Sequence, residues 1–211
     1  MNKKYELTDE TKETGGITLH RIRALRDIPR YGVKSGDLGG WIEAERNLSQ
    51  YGNAWVSGNA WVSGNAEVYG DADVCGNAEV YGNARVYGNA WVFGNAWVYG
   101  DAVVYDNALV CGNARVYCDA KVYGIAEVSG NAEVKSIRDY AVFKNGWSSG
   151  MWFTYTRSNR KWKVGCFHGT GEELIAKAYK DSELSGKCYE AIVRAQEAID
   201  RAIDEKEGDT K

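Results

Sequence analysis

The chain has 211 residues, of which 44% are hydrophobic and 26% charged, and its formal net charge is -3. This composition is typical of a globular protein and excludes disorder over most of the length. No apolar run approaches the roughly 18 residues of a membrane span. The five cysteines include no CxxC pair, which argues against a structural zinc site and a disulfide framework. We therefore expect a cytoplasmic protein that contacts no membrane.

The first segment, residues 1–50, is predicted to form an N-terminal β cap. Residues 17–25 (ITLHRIRAL) have the composition of a strand, and residues 33–42 lead through the Gly39-Gly40 pair toward the repeats that follow. The end strand of an open sheet exposes unpaired backbone groups, which proteins usually cover. We expect this segment to cover the first of those repeats.

The central segment, residues 51–136, contains a six-residue repeat. Fourteen units of the form Y-G-N-A-x-V end at Val134, and alanine and valine occupy their positions in all fourteen. Alternation along A-x-V turns Ala and Val to one face and x to the other, as in a short strand. Gly-Asn suits a corner because Gly accepts positive φ and Asn tolerates it. A strand and a corner every six residues predict a β-solenoid.

The residues at a spacing of eighteen predict three units per coil. Five tyrosines recur at this spacing from Tyr51 to Tyr123, and five asparagines recur from Asn59 to Asn131. Stacked rings and amide ladders are favoured between vertical neighbours in a stack of strands. We therefore expect triangular coils whose Ala and Val side chains point inward.

The repeat and its flanks resemble two sets of known proteins. The unit V-x-G-N-A-x is similar to the hexapeptide of left-handed parallel β-helices, which implies that fold with three hexapeptides per coil. The flanks are similar to uncharacterised repeat proteins of bacteriophages and prophages, through LHRIRALRDI, GDLGGWIEAERNLSQYGNAWV and WFTYTRSNRKWKVGCFHGTGEELIAKAYKDS. This second resemblance implies the cytoplasm of a bacterial host cell and no particular activity.

The final segment, residues 137–211, is predicted to be a C-terminal α+β domain. YAVFK, MWFTYT and KWKVGCF have the composition of strands, and the last two form a hairpin around residues 157–160. The capping box from Thr170 to Glu173 begins a helix that runs to Lys180. A longer amphipathic helix is expected from Leu184 to Glu205. The predicted fold class is therefore mainly β, with a parallel β-helix between a β cap and an α+β domain.

Basic and aromatic residues alternate near the start of this last domain. Residues 138–170 contain six basic side chains and one acidic side chain, with tryptophan and tyrosine among them. Such a mixture suits the phosphate and the stacked base of a nucleotide or of a single-stranded nucleic acid. The candidate ligand-binding patch consists of Trp152, Tyr155, Arg157, Arg160, Lys161 and Trp162. In the alternative interpretation the aromatic rings form the core of the domain and the bases decorate its exposed face.

Four tryptophans occupy outward positions of the repeat. Trp55 and Trp91 fall two coils apart on one face, and Trp61 and Trp97 fall two coils apart on the next. A large apolar patch on a soluble protein marks an interface, and tryptophan is a frequent anchor there. We expect these four residues to contact other subunits of a homo-oligomer, either a dimer or a trimer, or to bind a partner.

Catalysis is the weaker expectation. By resemblance, left-handed β-helices are best known as acyltransferases that need a histidine base. The chain has two histidines, His20 and His168, and neither lies in the repeats. No catalytic residue, metal site or cofactor is predicted. The sequence favours a non-catalytic phage binding protein that counteracts host defence, by sequestering a nucleotide-type signalling molecule or by binding a host defence protein. An acyltransferase-like enzyme and a structural virion protein are the alternatives.

Overall fold

The computed structural model describes residues 3–208 and divides the chain into two compact units, Met1–Asp139 and Tyr140–Lys211. The N-terminal strands and the coils share the first unit. The strands before the coils are Tyr5–Thr14 (β1), Ile17–Ala24 (β2) and Leu38–Ile42 (β3), and three-residue 3-10 helices span Pro29–Tyr31, Glu45–Asn47 and Ile137–Asp139.

Each repeat of the central segment contributes one two-residue strand made of x and Val. These strands are Trp55–Val56 (β4), Trp61–Val62 (β5), Glu67–Val68 (β6), Asp73–Val74 (β7), Glu79–Val80 (β8), Arg85–Val86 (β9), Trp91–Val92 (β10), Trp97–Val98 (β11), Val103–Val104 (β12), Leu109–Val110 (β13), Arg115–Val116 (β14), Lys121–Val122 (β15), Glu127–Val128 (β16) and Glu133–Val134 (β17).

Neighbouring coils pair in parallel at the predicted spacing of eighteen residues. On one face Trp55 is in register with Asp73, Asp73 with Trp91, and Trp91 with Leu109. The strands therefore form three parallel stacks, with every third strand in the same stack. The predicted fold class is confirmed as a mainly β chain with a parallel β-solenoid of about five turns and a C-terminal helical region.

The interior of the coils contains alanine and valine, as the alternation predicted. From Ala54 to Val134 these side chains are at most 1% exposed. Such small side chains bury little area each, so the backbone hydrogen bonds between coils contribute much of the cohesion. Side-chain columns add to it on the outside, where Asn59 Nδ2 donates to Asn77 Oδ1 at 3.2 Å and the rings of Tyr81 and Tyr99 stack 5.0 Å apart.

The corners bring successive coils into close contact. Gly94 has a φ of 75°, and a Cβ placed there would lie 3.0 Å from the backbone nitrogen of Gly112 in the next coil. Asp106 replaces glycine at the same position of its repeat and keeps a φ of 60°. Its Oδ2 accepts a hydrogen bond from Gly124 N at 3.2 Å, which explains how an aspartate is accommodated at this corner.

Side chains from the N-terminal segment cover the first coil. The carbonyl oxygens of this coil face a position where no earlier repeat lies, so other donors satisfy them. Lys4 Nζ donates to Ala54 O at 2.6 Å, Asn47 Nδ2 to Ala66 O at 2.8 Å, and Arg26 Nη2 to Gly52 O at 2.7 Å. The sequence did not predict β1, which pairs antiparallel with β2.

The second unit combines an antiparallel sheet with two helices. The sheet contains Tyr140–Lys144 (β18), Trp152–Thr156 (β19), Lys161–Val164 (β20) and Phe167–Gly169 (β21), in that order. Helix α1 spans Gly171–Asp181 and helix α2 spans Glu183–Gly208. The expected strand KWKVGCF is divided by a turn at Gly165, which has a φ of 50°. None of the described helices combines the length and the apolar character needed to cross a bilayer.

The corner contacts can be measured with two alanine substitutions that differ in one respect. Gly94→Ala and Gly124→Ala both place a side chain at positive φ, which costs about 1–2 kcal/mol. Only Gly94→Ala also forces a Cβ against the next coil, because nothing lies within 4 Å of a Cβ at Gly124. We expect Gly94→Ala to lower the free energy of unfolding, measured in urea, by about 1–3 kcal/mol more than Gly124→Ala does. Equal losses would contradict the stacking of these corners.

Candidate ligand-binding site

The first unit contains a cavity between its N-terminal loop and one face of the solenoid. Its volume is about 350 Å³. The lining residues come from the 3-10 helix Pro29–Tyr31 and from two successive coils, and they are Arg30, Tyr31, Asp73, Asn89, Ala90 and Trp91. We call this space the Trp91 cavity.

The loop that covers the cavity is held by its own sequence and by contacts with the coils. Pro29, the chain's one proline, begins the 3-10 helix, and Gly32 ends it with a φ of 67°. The Tyr31 hydroxyl donates to the carbonyl oxygen of Asp71. Arg30 Nη2 donates to Asn89 Oδ1 at 2.9 Å. These contacts fix Arg30 and Tyr31 against the face that presents Asp73 and Trp91.

Trp91 supplies an aromatic surface to this cavity. It lies at the outward position of β10 and is 42% exposed. Its indole N–H donates to Cys75 Sγ at 3.2 Å, and its ring is tilted against Phe93 with the centroids 4.7 Å apart. The indole is therefore held in one orientation while a large part of it stays accessible.

Asp73 places a half-buried carboxyl group beside this ring. It occupies the same column as Trp91, one coil earlier, with Trp55 on its other side. Burial raises the pKa of the Asp73 carboxyl from 3.8 to about 6, and a hydrogen bond with the Cys75 side chain opposes part of that rise. The half-buried carboxyl is partly shielded from water, so hydrogen-bond donors of a bound molecule would meet less competition from water there than at an exposed carboxyl.

The other three outward tryptophans do not extend this surface. Trp55 is only 1% exposed because β3 lies against it, and a Cβ at Gly39 would be 2.7 Å from its Cζ2 atom. Trp55 is therefore a core residue and not the interface residue that we expected. Trp61 and Trp97 are partly buried, the first stacked on Tyr81 at 5.5 Å and the second under the Arg115 guanidinium at 4.6 Å.

The aromatic residues of the basic-aromatic patch are divided between core and surface. Tyr155 and Trp162 are 4% and 2% exposed in the core of the second unit, and with Arg160 they line a cavity of about 230 Å³ in that unit. Their burial agrees with the alternative interpretation that these rings belong to the core, and ligand binding at this patch stays a prediction. Trp152 is 48% exposed and has the Lys144 ammonium 5.5 Å from its ring centroid.

The basic residues of the same patch face carboxylates of the two helices. Arg157 and Arg160 lie 2.6 and 3.3 Å from the carboxylate oxygens of Asp204, and Lys161 lies 4.0 Å from Glu173. These acidic partners lie outside residues 138–170, so the excess of positive charge in that segment does not describe the folded unit. The positive charge of the patch is therefore largely balanced within the unit.

The two histidines lie in different units. His20 is on β2, and His168 is an exposed residue of β21. Among residues 3–208, no three His, Cys, Asp or Glu side chains come together as a metal-binding group.

Comparison with known proteins supports the solenoid. Residues 78–94 and 84–100 match the family model described as YdcK beta solenoid repeat. This similarity covers the middle of the coils and includes Trp91 and Asn89. No curated protein matches the chain.

Sequence reasoning found part of the Trp91 cavity. It singled out Trp91 as an outward residue, but it missed Arg30 and Tyr31. The signal was present in the segment IPRYG, which contains the one proline of a glycine-rich chain and has the residue types of a tight turn. A local turn does not say which face of a distant repeat it will cover.

The buried carboxyl group predicts a pH-dependent effect on stability. Because the pKa of Asp73 is raised from 3.8 to about 6 in the folded chain, ionisation of Asp73 destabilises the fold increasingly between about pH 4 and pH 6 and fully above that range. We expect Asp73→Asn to be about 1–2 kcal/mol more stable than the parent at pH 7.5. The gain should shrink as the pH falls from 6 toward 4, where the parent carboxyl becomes protonated.

Urea unfolding at pH 4.5, 6 and 7.5 measures this difference. Asp119→Asn, which changes an exposed corner residue in the same way, serves as the control. If the stability gain of Asp73→Asn does not depend on pH, or if this variant is less stable than the parent at pH 7.5, the ionised Asp73 carboxylate is not destabilised by its surroundings.

Proposed function

We propose that this protein is a non-catalytic binding protein that captures a nucleotide-type small molecule in the Trp91 cavity. One observation carries the proposal: an accessible indole, a half-buried carboxyl and a guanidinium line a single cavity of about 350 Å³. Aromatic rings stack on nucleobases, and arginine pairs with phosphate groups. The volume lies near the lower end of the range for small-molecule sites.

The chemistry of Cys75 favours binding over turnover. Its thiol contacts Asp73 and Trp91 and is a potential nucleophile beside the cavity. Burial is the largest of several causes that raise the pKa of this thiol. Because the thiolate is the reactive form, a raised pKa keeps Cys75 unreactive at neutral pH. The thiol instead serves as a hydrogen-bonding partner that positions the two residues beside it.

The biological role that we propose is sequestration of a host signal by an oligomeric phage protein, a dimer or a trimer. Its support is the resemblance of the flanking segments to phage and prophage proteins, together with the nucleotide-type chemistry of the cavity. Protein that binds its ligand tightly without converting it removes that ligand from solution, which suits interference with a defence signal. A host defence protein that uses Trp91 as its anchor is the competing partner.

Native mass spectrometry of protein purified gently from bacterial cells tests capture. We expect an oligomer that carries an extra mass of a few hundred daltons and releases it on denaturation. Trp91→Ala should lose the extra mass, since losing one stacked base contact costs about 1–3 kcal/mol, or roughly 5- to 150-fold in affinity.

Trp152→Ala is the matched control, because Trp152 is similarly exposed but belongs to the second unit. It should keep the ligand. If Trp152→Ala loses the ligand and Trp91→Ala keeps it, the binding site belongs to the basic-aromatic patch. Retention in both variants would exclude both sites. A parent protein that carries no small molecule and binds none from a nucleotide mixture would overturn the proposal of capture.

A further inference from the structure

The Trp91 cavity contains groups that distinguish one nucleobase from another. We infer that it selects guanine, with the base stacked on Trp91, its Watson–Crick edge bonded to the Asp73 carboxylate, and its phosphate turned toward Arg30. This inference rests on the proposed function and names the ligand class of the same site.

The stacking surface is arranged before any ligand binds. The hydrogen bond from the indole N–H to Cys75 and the contact with Phe93 hold the Trp91 ring in place. A rigid ring loses little conformational freedom when a base stacks on it. Stacking alone accepts every base, because each base has a π face. Selectivity must therefore come from a second group.

Asp73 is that group. It projects from the neighbouring coil of the same stack, in register with Trp91, and strands in a sheet are about 4.8 Å apart. Guanine presents two adjacent donors on its Watson–Crick edge, N1–H and the N2 amino group, and a carboxylate offers two acceptor oxygens. Adenine presents one donor and one acceptor on that edge. It would leave a half-buried carboxylate oxygen facing a ring nitrogen, which is unfavourable where water is scarce.

Arg30 determines the charge of the ligand. Its Nη2 is 2.9 Å from Asn89 Oδ1, and its Nη1 is 3.9 Å from Asp71 Oδ2, with the side chain 45% exposed. A guanidinium at the rim attracts a phosphate and repels a cation. An ammonium ligand would also suit an indole beside a carboxylate, but it would be opposed by Arg30. Asp71 balances part of the Arg30 charge, and the exposed part of the guanidinium faces solvent at the rim, opposite the Asp73 carboxyl. This arrangement favours a molecule with hydrogen-bond donors at one end and an anionic group at the other.

The test is a set of calorimetric titrations of the full-length protein with GMP, AMP, IMP and guanosine at pH 7.5. IMP keeps N1–H and lacks the N2 amino group, so it separates the two donors. We expect GMP to bind roughly 5- to 150-fold more tightly than AMP, because this is the discrimination that one bidentate contact gives. The affinity for IMP should lie between the affinities for GMP and AMP.

Two variants separate the roles of the side chains. Asp73→Asn should lower the affinity for GMP and raise the affinity for AMP, because the amide offers a donor to adenine N1 and an acceptor to the N6 amino group. Misfolding is not expected to mimic this result, since the variant should be the more stable protein. Arg30→Ala should lower the affinities for GMP and AMP by the same factor and leave the affinity for guanosine unchanged, because guanosine has no phosphate. Asp119→Asn should keep the parent preference.

The outcomes distinguish this inference from the proposed function. If nucleotides bind equally well, or if Asp73→Asn keeps the preference for guanine, the guanine assignment is wrong and nucleotide capture stands. If none of the four compounds binds, and native mass spectrometry finds another ligand that Trp91→Ala loses, the guanine assignment is also wrong and only capture at this cavity remains.

Discussion

The spacing of eighteen residues between vertical neighbours governs the arrangement of the first unit. Each coil donates backbone hydrogen bonds to the next, as from Trp91 N to Ala108 O at 2.9 Å, so no coil can shift without breaking a whole set. The same register brings Asp73 and Trp91 side by side, although they are far apart in local sequence. A coil of any other length would separate the carboxyl from the indole. The backbone of the fold and the placement of Asp73 beside Trp91 therefore follow from one constraint.

Asp73 shows that the outward positions of the coils are not all equivalent for stability. Later coils place Leu109 and Glu127 in the same column, so the sheet accepts an apolar or a partly exposed charged residue there. The pKa of Asp73 is instead raised to about 6 by burial, so the ionised carboxylate lowers the stability of the fold at neutral pH. Residues that break a local rule without a structural gain are concentrated at functional sites. This cost, beside an exposed indole, favours the cavity as a place of recognition.

The periodic parts of the chain were predictable because side chains that alternate along a strand, in a repeat of six residues, allow few backbone arrangements. Alanine and valine point inward, tyrosine and asparagine stack, and Thr170 and Glu173 form their capping box with Glu173 N donating to Thr170 Oγ1 at 3.3 Å. Contacts between distant, aperiodic segments were not predictable in this way. The cover of β3 over Trp55 depends on a small residue at Gly39, and the pairing of Arg157 with Asp204 joins residues 47 positions apart.

A solenoid face by itself is a poor receptor for a small molecule, because short strands in register make a flat surface and small molecules bind in concave sites. The segment IPRYG changes this at one level of the stack. Tyr31 is anchored to Asp71, so the loop covers the coils that carry Asp73 and Trp91 rather than the later coils of the same column. The repeat supplies an ordered series of outward side chains, and the aperiodic loop turns one pair of them into a cavity. Specificity in such a fold can therefore evolve at two outward positions and one loop while the alanine and valine core stays unchanged.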